Sequence, residues 1–486
     1  MFIHHRSIIP ALFTIIIGLG QLSCRKMVTV PEPINSITTA EVFTSDAQAA
    51  STMAGIYTQL VNGQQMSFSN GYITLLAGMS ADELFYYGTG DLSILAFSPN
   101  QLLNSNGYTP IVWTSAYKVI YNANSVIEGI AASTSDALTD SVRKELTAEA
   151  KFVRAFAYFY LTNLFGDVPL ALTVDFNKTR YMARTPVKEV YRQIIQDLKD
   201  AQSLLPPDYS VAGGPAYERI IPNRWAATAL LARAYLYTKD YANAAAQASS
   251  VINNTTLYSL ETDPNNVFLV NSKEAIWQLK QGTDNTPYQN ATVEGFTILP
   301  SPQFTGLAHF CLTAPLLNAF EPGDLRRSAW VDSTSNNATG FTWYPFKYKT
   351  GPYNAALGAP SSEYYMVLRL AEMYLIRAEA EVNDAPGGAA AAISDLNVIR
   401  SRAGLPALPA SLLQPQIITA VAHERQVELF AEWGHRWLDL NRTAQAHTVL
   451  SAIAGKQPWA GDYQLLYPIP PTEIRADHFL VQNPGY

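Results

Sequence analysis

The stretch NRWAATALLARAYLYTKDYANAAAQASSVINN, residues 223–254, reads as two helices broken at Lys239 and Asp240. Ala232, Ala244, Ala245 and Ala248 carry almost no side chain, so the two helices can approach closely. Working outward, most of the remaining pattern is helical too, and strand signals are few. In residues 40–62, Ala50, Met53, Ala54, Tyr57 and Leu60 recur at spacings of three and four. Trp113, Tyr117, Ile120, Tyr121, Asn124 and Ile127 do the same in residues 113–130. Residues 144–165 carry an aromatic stripe of Phe152, Phe156, Phe159 and Tyr160, and Gly166-Asp167-Val168-Pro169 supplies the stop. A further helix starts behind Thr185-Pro186 and ends at Pro206-Pro207.

The 223–254 spacing resembles a tetratricopeptide unit of about 34 residues. A second such pair is predicted in residues 364–402, where Ala371, Leu375, Ala378 and Ala380 precede an Ala-Pro-Gly-Gly break at 385–388. A third joins 113–130 to 144–165. These repeats are imperfect and carry long insertions, which predicts a decorated helical scaffold rather than a clean solenoid. The expected class is all-α, a single large helical body.

The chain has 486 residues, about three domains' worth at roughly 150 each, or one composite fold. With 48% hydrophobic and 15% charged residues it is neither a disordered polyelectrolyte nor a multi-span membrane protein. The net charge of −7 comes with scattered lysines and arginines, which excludes a phosphate-backbone footprint, so nucleic acid is not an expected partner. The 27 Tyr and 8 Trp are flat amphipathic rings that serve equally in a core or on a sugar-stacking surface.

His4, His5 and Arg6 precede an apolar run from Ile8 to Gly20, too short for the roughly 20 residues of a spanning helix, so residues 1–23 read as a secretion signal. Cys24 follows the small Ser23 as in a bacterial lipobox, where the thiol is acylated and becomes the first residue. Residues 24–35 hold two prolines and no helical period, an extended tether between lipid and body. With Cys24 acylated, Cys311 is left alone and no intramolecular disulfide is available.

Residues 66–106 and 281–360 break the helical pattern with Gly, Pro, Asn, Ser and Tyr, and are far longer than ordinary connections. They are expected to build a surface site. Tyr86 and Tyr87, just after Ala81-Asp82-Glu83, together with Trp330, Trp343 and Tyr344, are the candidate rings for stacking on a sugar. Catalytic patterns are scarce. His423-Glu424-Arg425-Gln426-Val427 begins like HExxH but has Val427 where the second zinc ligand belongs. There is no GxSxG elbow and no P-loop, and Gly88-Thr89-Gly90 is followed by Ser93 in place of a third dinucleotide glycine. No metal and no cofactor is expected. In residues 424–442, Glu424, Glu428 and Glu432 recur every fourth residue, Arg436 completes the stripe, and Asp439 and Arg442 follow. Two of these carboxylates could serve as a glycosidase pair. Their placement on one helix face among Leu429, Phe430, Trp433 and Trp437 predicts instead a structural ion network on a core helix.

That segment, the run LNVIRSRAGL at 396–405, and the ending YPIP at 467–470 with QNPGY at 482–486 resemble the SusD/RagB family of nutrient-binding outer-membrane lipoproteins. The likeness extends to LRLAE at 368–372 with RAEA at 377–380, to EAKFVRA at 149–155 with FGDVPL at 165–170, and to LLARAYLY at 230–237. It runs collinearly through nearly the whole chain beyond the signal. The resemblance implies a body over residues 36–486, with an N-terminal SusD-like helical part (36–260) and a C-terminal SusD/RagB part (261–486). It implies a non-catalytic role at the outer membrane, lipid-anchored and surface-exposed: capturing an oligosaccharide, or in some relatives a peptide, and passing it to a SusC-like TonB-dependent transporter. Binding residues do not carry over by motif, because the binding loops are the variable part of the family.

Two other functions compete with that reading. A surface glycoside hydrolase would need a carboxylate pair among Asp82, Glu83, Asp91, Glu294, Glu321 and Asp324, which show no recognisable spacing. A tetratricopeptide adaptor for protein or peptide would need an open groove, which the long insertions tend to cover.

Overall fold

The computed structural model describes residues 42–61, 66–210, 218–284, 286–302, 306–336 and 340–486. The signal, Cys24 and the tether lie outside these described residues. Ten longer helices organise the described residues: α1 Asp46–Val61, α2 Thr109–Ala132, α3 Asp140–Phe165, α4 Val187–Leu204, α5 Arg224–Tyr237, α6 Tyr241–Ile252, α7 Leu370–Val382, α8 Gly388–Arg402, α9 Gln414–Leu429 and α10 His435–Arg442. From α1 to α8 each packs against the next, and α9 packs on α7 and α8. The stack therefore runs unbroken from α6 to α7, although a long insertion separates them in sequence.

Local chemistry sets the breaks. The Asn223 side chain accepts from the Trp225 and Ala226 amides, both at 3.0 Å, and so starts α5. Lys239 turns at φ 61°, and Asp240 caps α6 through the Asn243 amide. α3 stops at Gly166, whose φ of 76° suits glycine. Its aromatic stripe is wholly buried, with Trp277 edge-on to Phe152 and Phe156 at 4.9 and 5.2 Å.

Among the described residues, six short strands, β1 Leu84–Tyr86, β2 Ala275–Leu279, β3 Phe310–Leu312, β4 Val331–Asn336, β5 Gly340–Pro345 and β6 Tyr365–Arg369, form three antiparallel pairs. β1 pairs with β3, β2 with β6, and β4 with β5. The carboxy-terminal segment returns to the end of α3: the Tyr467 amide donates to Leu164 O at 2.7 Å, and Asn483 Nδ2 to Phe165 O at 3.0 Å.

Two expectations about local structure need correction. Residues 66–106 are not simply a surface loop, since Phe68–Ala77 is a buried helical segment with wide π-type turns, interrupted at Asn70 and at Gly71 (φ 126°). The wide turns take Phe68, Ile73, Leu75 and Leu76 off the ordinary helical period. Residues 424–442 are not one helix either. α9 ends at Leu429, and Ala431, Trp433 and Gly434 all take positive φ before α10 begins. Gly434 is required there, because a Cβ would sit 2.6 Å from Ala77 Cβ. Trp433 holds its strained backbone by donating Nε1 to Met366 O at 2.6 Å and stacking on Tyr365 at 4.8 Å.

Candidate functional site

β1 delivers Tyr86 to a half-buried position, edge-on to His309 at 5.5 Å and tilted against Phe310 at 5.2 Å. Tyr87 is half-buried beside it, its amide donating to His309 O at 2.7 Å. A Cβ at Gly88 would lie 2.5 Å from the Tyr86 ring, so a side chain there would displace that ring. The chain then turns at Asp91, whose Oδ1 accepts from the Ser93 and Ile94 amides at 3.0 and 3.1 Å while Oδ2 accepts from the Tyr108 hydroxyl. Tyr108 stands edge-on to Tyr72 at 5.4 Å, and Tyr288 edge-on to Phe296 at 5.5 Å.

Electrostatics ties these rings into one cluster. Burial first, then Tyr288 and Asp91, push the Tyr72 hydroxyl above its ordinary range. Burial and Asp91 do the same to Tyr86, and burial followed by the Asp91 bond raises Tyr108 furthest. Half-open neutral phenols around one carboxylate can stack on a flat apolar ring face and bond to hydroxyls. Asp91 itself is committed to two amides and a phenol, so it is poorly placed as a general base. Tyr72, Tyr108 and Phe296 were not singled out from the sequence, whereas Tyr288 is one of the loop aromatics that it offers for a surface site. The Asp91–Tyr108 bond crosses a loop and leaves no periodic signal.

The hairpin β4–β5 divides the remaining candidates. Trp343 is half-buried, with the Arg327 guanidinium 4.2 Å over its ring and the exposed Phe341 roughly parallel at 6.4 Å. Tyr344, next along the strand, is 4% exposed and donates to Asp332 Oδ2 at 3.0 Å. Trp330 is fully buried, donates to Pro264 O at 2.9 Å and lies under the Lys347 ammonium at 4.6 Å. Trp330 and Tyr344 are thus scaffold and offer no face to a ligand, a correction to their reading as sugar platforms. β3 packs against β5 as well as pairing with β1, so Trp343 and Tyr86 rise from neighbouring elements.

The carboxylates of residues 424–442 are buried and engaged by basic groups from distant elements. Arg326 holds Asp324, Glu424 and Glu428; Arg369 holds Glu274, Glu428 and Glu432; Lys347 reaches Glu432. Burial alone would raise Glu428, but Arg402, Arg369 and Arg326 take it well below the ordinary carboxylate range. Glu432 moves the same way, with Arg369 and Lys347 overcoming its burial. A glycosidase acid needs the opposite shift. Arg436 does not continue the stripe: it forks onto Asp82 at 2.7 and 2.8 Å. Asp439 takes Arg425 and Arg442. Among the described residues, Glu321, His423 and Glu424 bring their ligand atoms within 4.8 Å of one another, as a metal centre would need. Arg400 already bridges both carboxylates, and His423 Nε2 lies 2.7 Å from Ala319 O, so the polar groups there are occupied by protein.

Among the described residues no helix is long and apolar enough to cross a membrane. Residues 35–236 match the family described as "Starch-binding associating with outer membrane", and residues 318–486 match the SusD family. The SusD-like protein P2 of Formosa agariphila is 28% identical over 429 residues, covering 79% of this chain and 82% of its own length. A SusD superfamily protein from Bacteroides vulgatus superposes with a TM-score of 0.76 at 20% identity, over 91% of this chain and 100% of that one. A laminarin-binding SusD-like protein does so with a TM-score of 0.73 at 24% identity, again over 91% and 100%. Helix stack, carboxy-terminal return and sequence agree, and the chain belongs to the SusD/RagB family.

Proposed function

We propose that the protein binds an oligosaccharide at the outer membrane, as a lipid-anchored surface protein, and passes it to a SusC-like TonB-dependent transporter without chemical change. The observation that carries the binding role is the set of half-open rings Tyr72, Tyr86 and Tyr108 beside Asp91, with Tyr288 close to Tyr72. Such rings give a sugar flat surfaces to lie on, and the phenol hydroxyls and nearby amides can meet its hydroxyl groups. The family membership supports the anchor and the transporter, and the laminarin-binding relative supports a glycan as the ligand class. The hydrolase reading is disfavoured by Glu428, Glu432 and Asp91, whose oxygens are committed to arginines, amides and a phenol.

Calorimetry of the full chain against laminarin, starch and other plant and algal oligosaccharides tests this. Tyr86→Ala is expected to weaken the tightest ligand by about tenfold or more, the effect of truncating an aromatic anchor, at an unchanged melting temperature. Equal affinity in parent and Tyr86→Ala would remove this face from the reading.

A further inference from the structure

The rings that would hold the sugar come from two stretches of chain with a one-sided charge pattern. The chain has 33 lysines and arginines, yet none falls in residues 27–117, between Lys26 and Lys118, or in residues 281–325, between Lys280 and Arg326. The first stretch supplies Tyr72, Tyr86 and Tyr108, and the second supplies Tyr288, Phe296 and His309. Acidic residues do occur in them: Asp91 accepts from the Tyr108 hydroxyl, and Asp284 stands exposed shortly before Tyr288.

Basic groups that reach these stretches from other elements are already engaged. Arg436 forks onto Asp82, Arg400 bridges Glu321 to Glu424, and Lys456, 3% exposed, donates to the carbonyls of Met79, Ser80 and Ser98 at 3.0, 2.9 and 2.8 Å. Arg327 stands on the hairpin side, over Trp343. Burial holds the His309 imidazole below its ordinary value and so favours its uncharged form. Tyrosines in other parts of the molecule are met differently, with Arg219 over Tyr209 and Tyr258 at 5.2 and 5.3 Å and Arg442 over Tyr237 at 5.0 Å. An anionic group docked on the Tyr72, Tyr86 and Tyr108 rings would lose water beside a carboxylate, with no guanidinium or ammonium to meet it. A neutral hydroxyl carries no such cost.

We propose that the sugar units seated on Tyr72, Tyr86 and Tyr108 are uncharged, so that the site selects neutral glycans over uronate-bearing chains. Ring stacking and hydroxyl bonds act on both kinds of sugar alike, so the discrimination comes from charge. This selectivity presupposes the oligosaccharide reading and narrows it to one class of sugar.

Calorimetry of the full chain at neutral pH tests it with laminarihexaose and maltohexaose, each as the unmodified chain, as its C6-carboxylated product and as the methyl ester of that product. Hexagalacturonate is measured beside its own methyl ester. For each backbone that binds, the uncharged forms are expected to bind about tenfold or more tighter than the carboxylate form at low salt. Asp91→Asn keeps an acceptor for the Ser93 and Ile94 amides and removes the charge, so it is expected to narrow that gap, as is added salt. Tyr86→Ala is expected to weaken the neutral form, which ties the gap to the rings. A carboxylate form that binds as tightly as its ester would overturn the selectivity and leave the oligosaccharide reading standing. A gap moved by neither salt nor Asp91→Asn, or a neutral form at full affinity in Tyr86→Ala, would overturn it as well. Absence of binding by every form would remove the oligosaccharide reading and the selectivity together.

Discussion

Arg233 on α5 and Glu372 on α7 meet in a two-bond fork, Nε to Oε1 and Nη2 to Oε2, both at 2.6 Å, with neither side chain more than 2% exposed. Tyr160 of α3 joins them by accepting from Arg233 Nη1 at 3.2 Å. Three helices from both halves of the chain thus share one buried charge pair. Removing one member strands the other, so Glu372→Ala is expected to lose about 3 to 5 kcal/mol, whereas Arg233→Met with Glu372→Leu should lose much less. Urea melts of the parent and the two variants check this; equal losses in the single and double variants would contradict it.

Glu428 is the hub of the second network, reached by Arg326, Arg369 and Arg402. Glu428→Ala is expected to destabilise by about 3 to 5 kcal/mol, since three cations then face an unfilled place. Its folded pKa is depressed, so its stabilisation is present above the ordinary carboxylate range and lost as pH falls through and below it. Acid melts should show a shallower loss for the variant than for the parent. Loss of a polysaccharide hydrolysis with an unchanged melt would point to an enzyme instead.

Helices α3, α5 and α6 were legible because aromatic and alanine spacing, and the breaks at Gly166 and Lys239, are local properties of the chain. The segment Phe68–Ala77 was not, because π-type turns and a non-helical Gly71 erase the period that sequence reading relies on. The acidic stripe was visible as a stripe, but its partners Arg326 and Arg369 lie far away in sequence, so the pairing could not be read. Trp330 and Trp343 look alike as letters. Only the packing of Trp330 under Lys347 and against Pro264 separates scaffold from surface.

Glu294 gives a pH dependence of the opposite sign. Burial raises it to about 8, helped by Glu432 and opposed by bonds from Tyr365 and Thr74 and by Lys347. A raised folded value means that stability is fully present below the ordinary carboxylate range and drains away as pH climbs toward about 8. Glu294→Gln keeps an acceptor for the Tyr365 hydroxyl, which lies 2.7 Å from Glu294 Oε2, and cannot ionise. The variant should gain on the parent between about pH 5 and pH 8. Melting temperatures that run parallel across that interval would refute the assignment.

Cys24 is outside the described residues, and its acylation is proposed on its place after the apolar run. Cys24→Ala is expected to move the protein from the membrane fraction to the soluble one with its melt unchanged. Fractionation in cells that carry no SusC-like transporter checks this, and a variant that still sediments with outer membranes would sink it.

Trp343 and Tyr344 are neighbours on β5 with opposite fates, because alternate side chains of a strand point to opposite faces. Tyr344 is buried and bonded to Asp332, so Tyr344→Ala empties a packed site and is expected to cost about 3 to 5 kcal/mol, read as a lowered melting temperature. Trp343 is half-buried under Arg327, beside the exposed Phe341, so its truncation leaves the core intact. If the sugar extends from the Tyr86 cluster across to the hairpin, Trp343→Ala should weaken oligosaccharide binding by about tenfold with little change in melting. Paired calorimetry and melts separate the outcomes. Loss of binding in Tyr86→Ala but not in Trp343→Ala would confine the site to the Asp91 cluster, and loss in both would extend it along β3 to the hairpin.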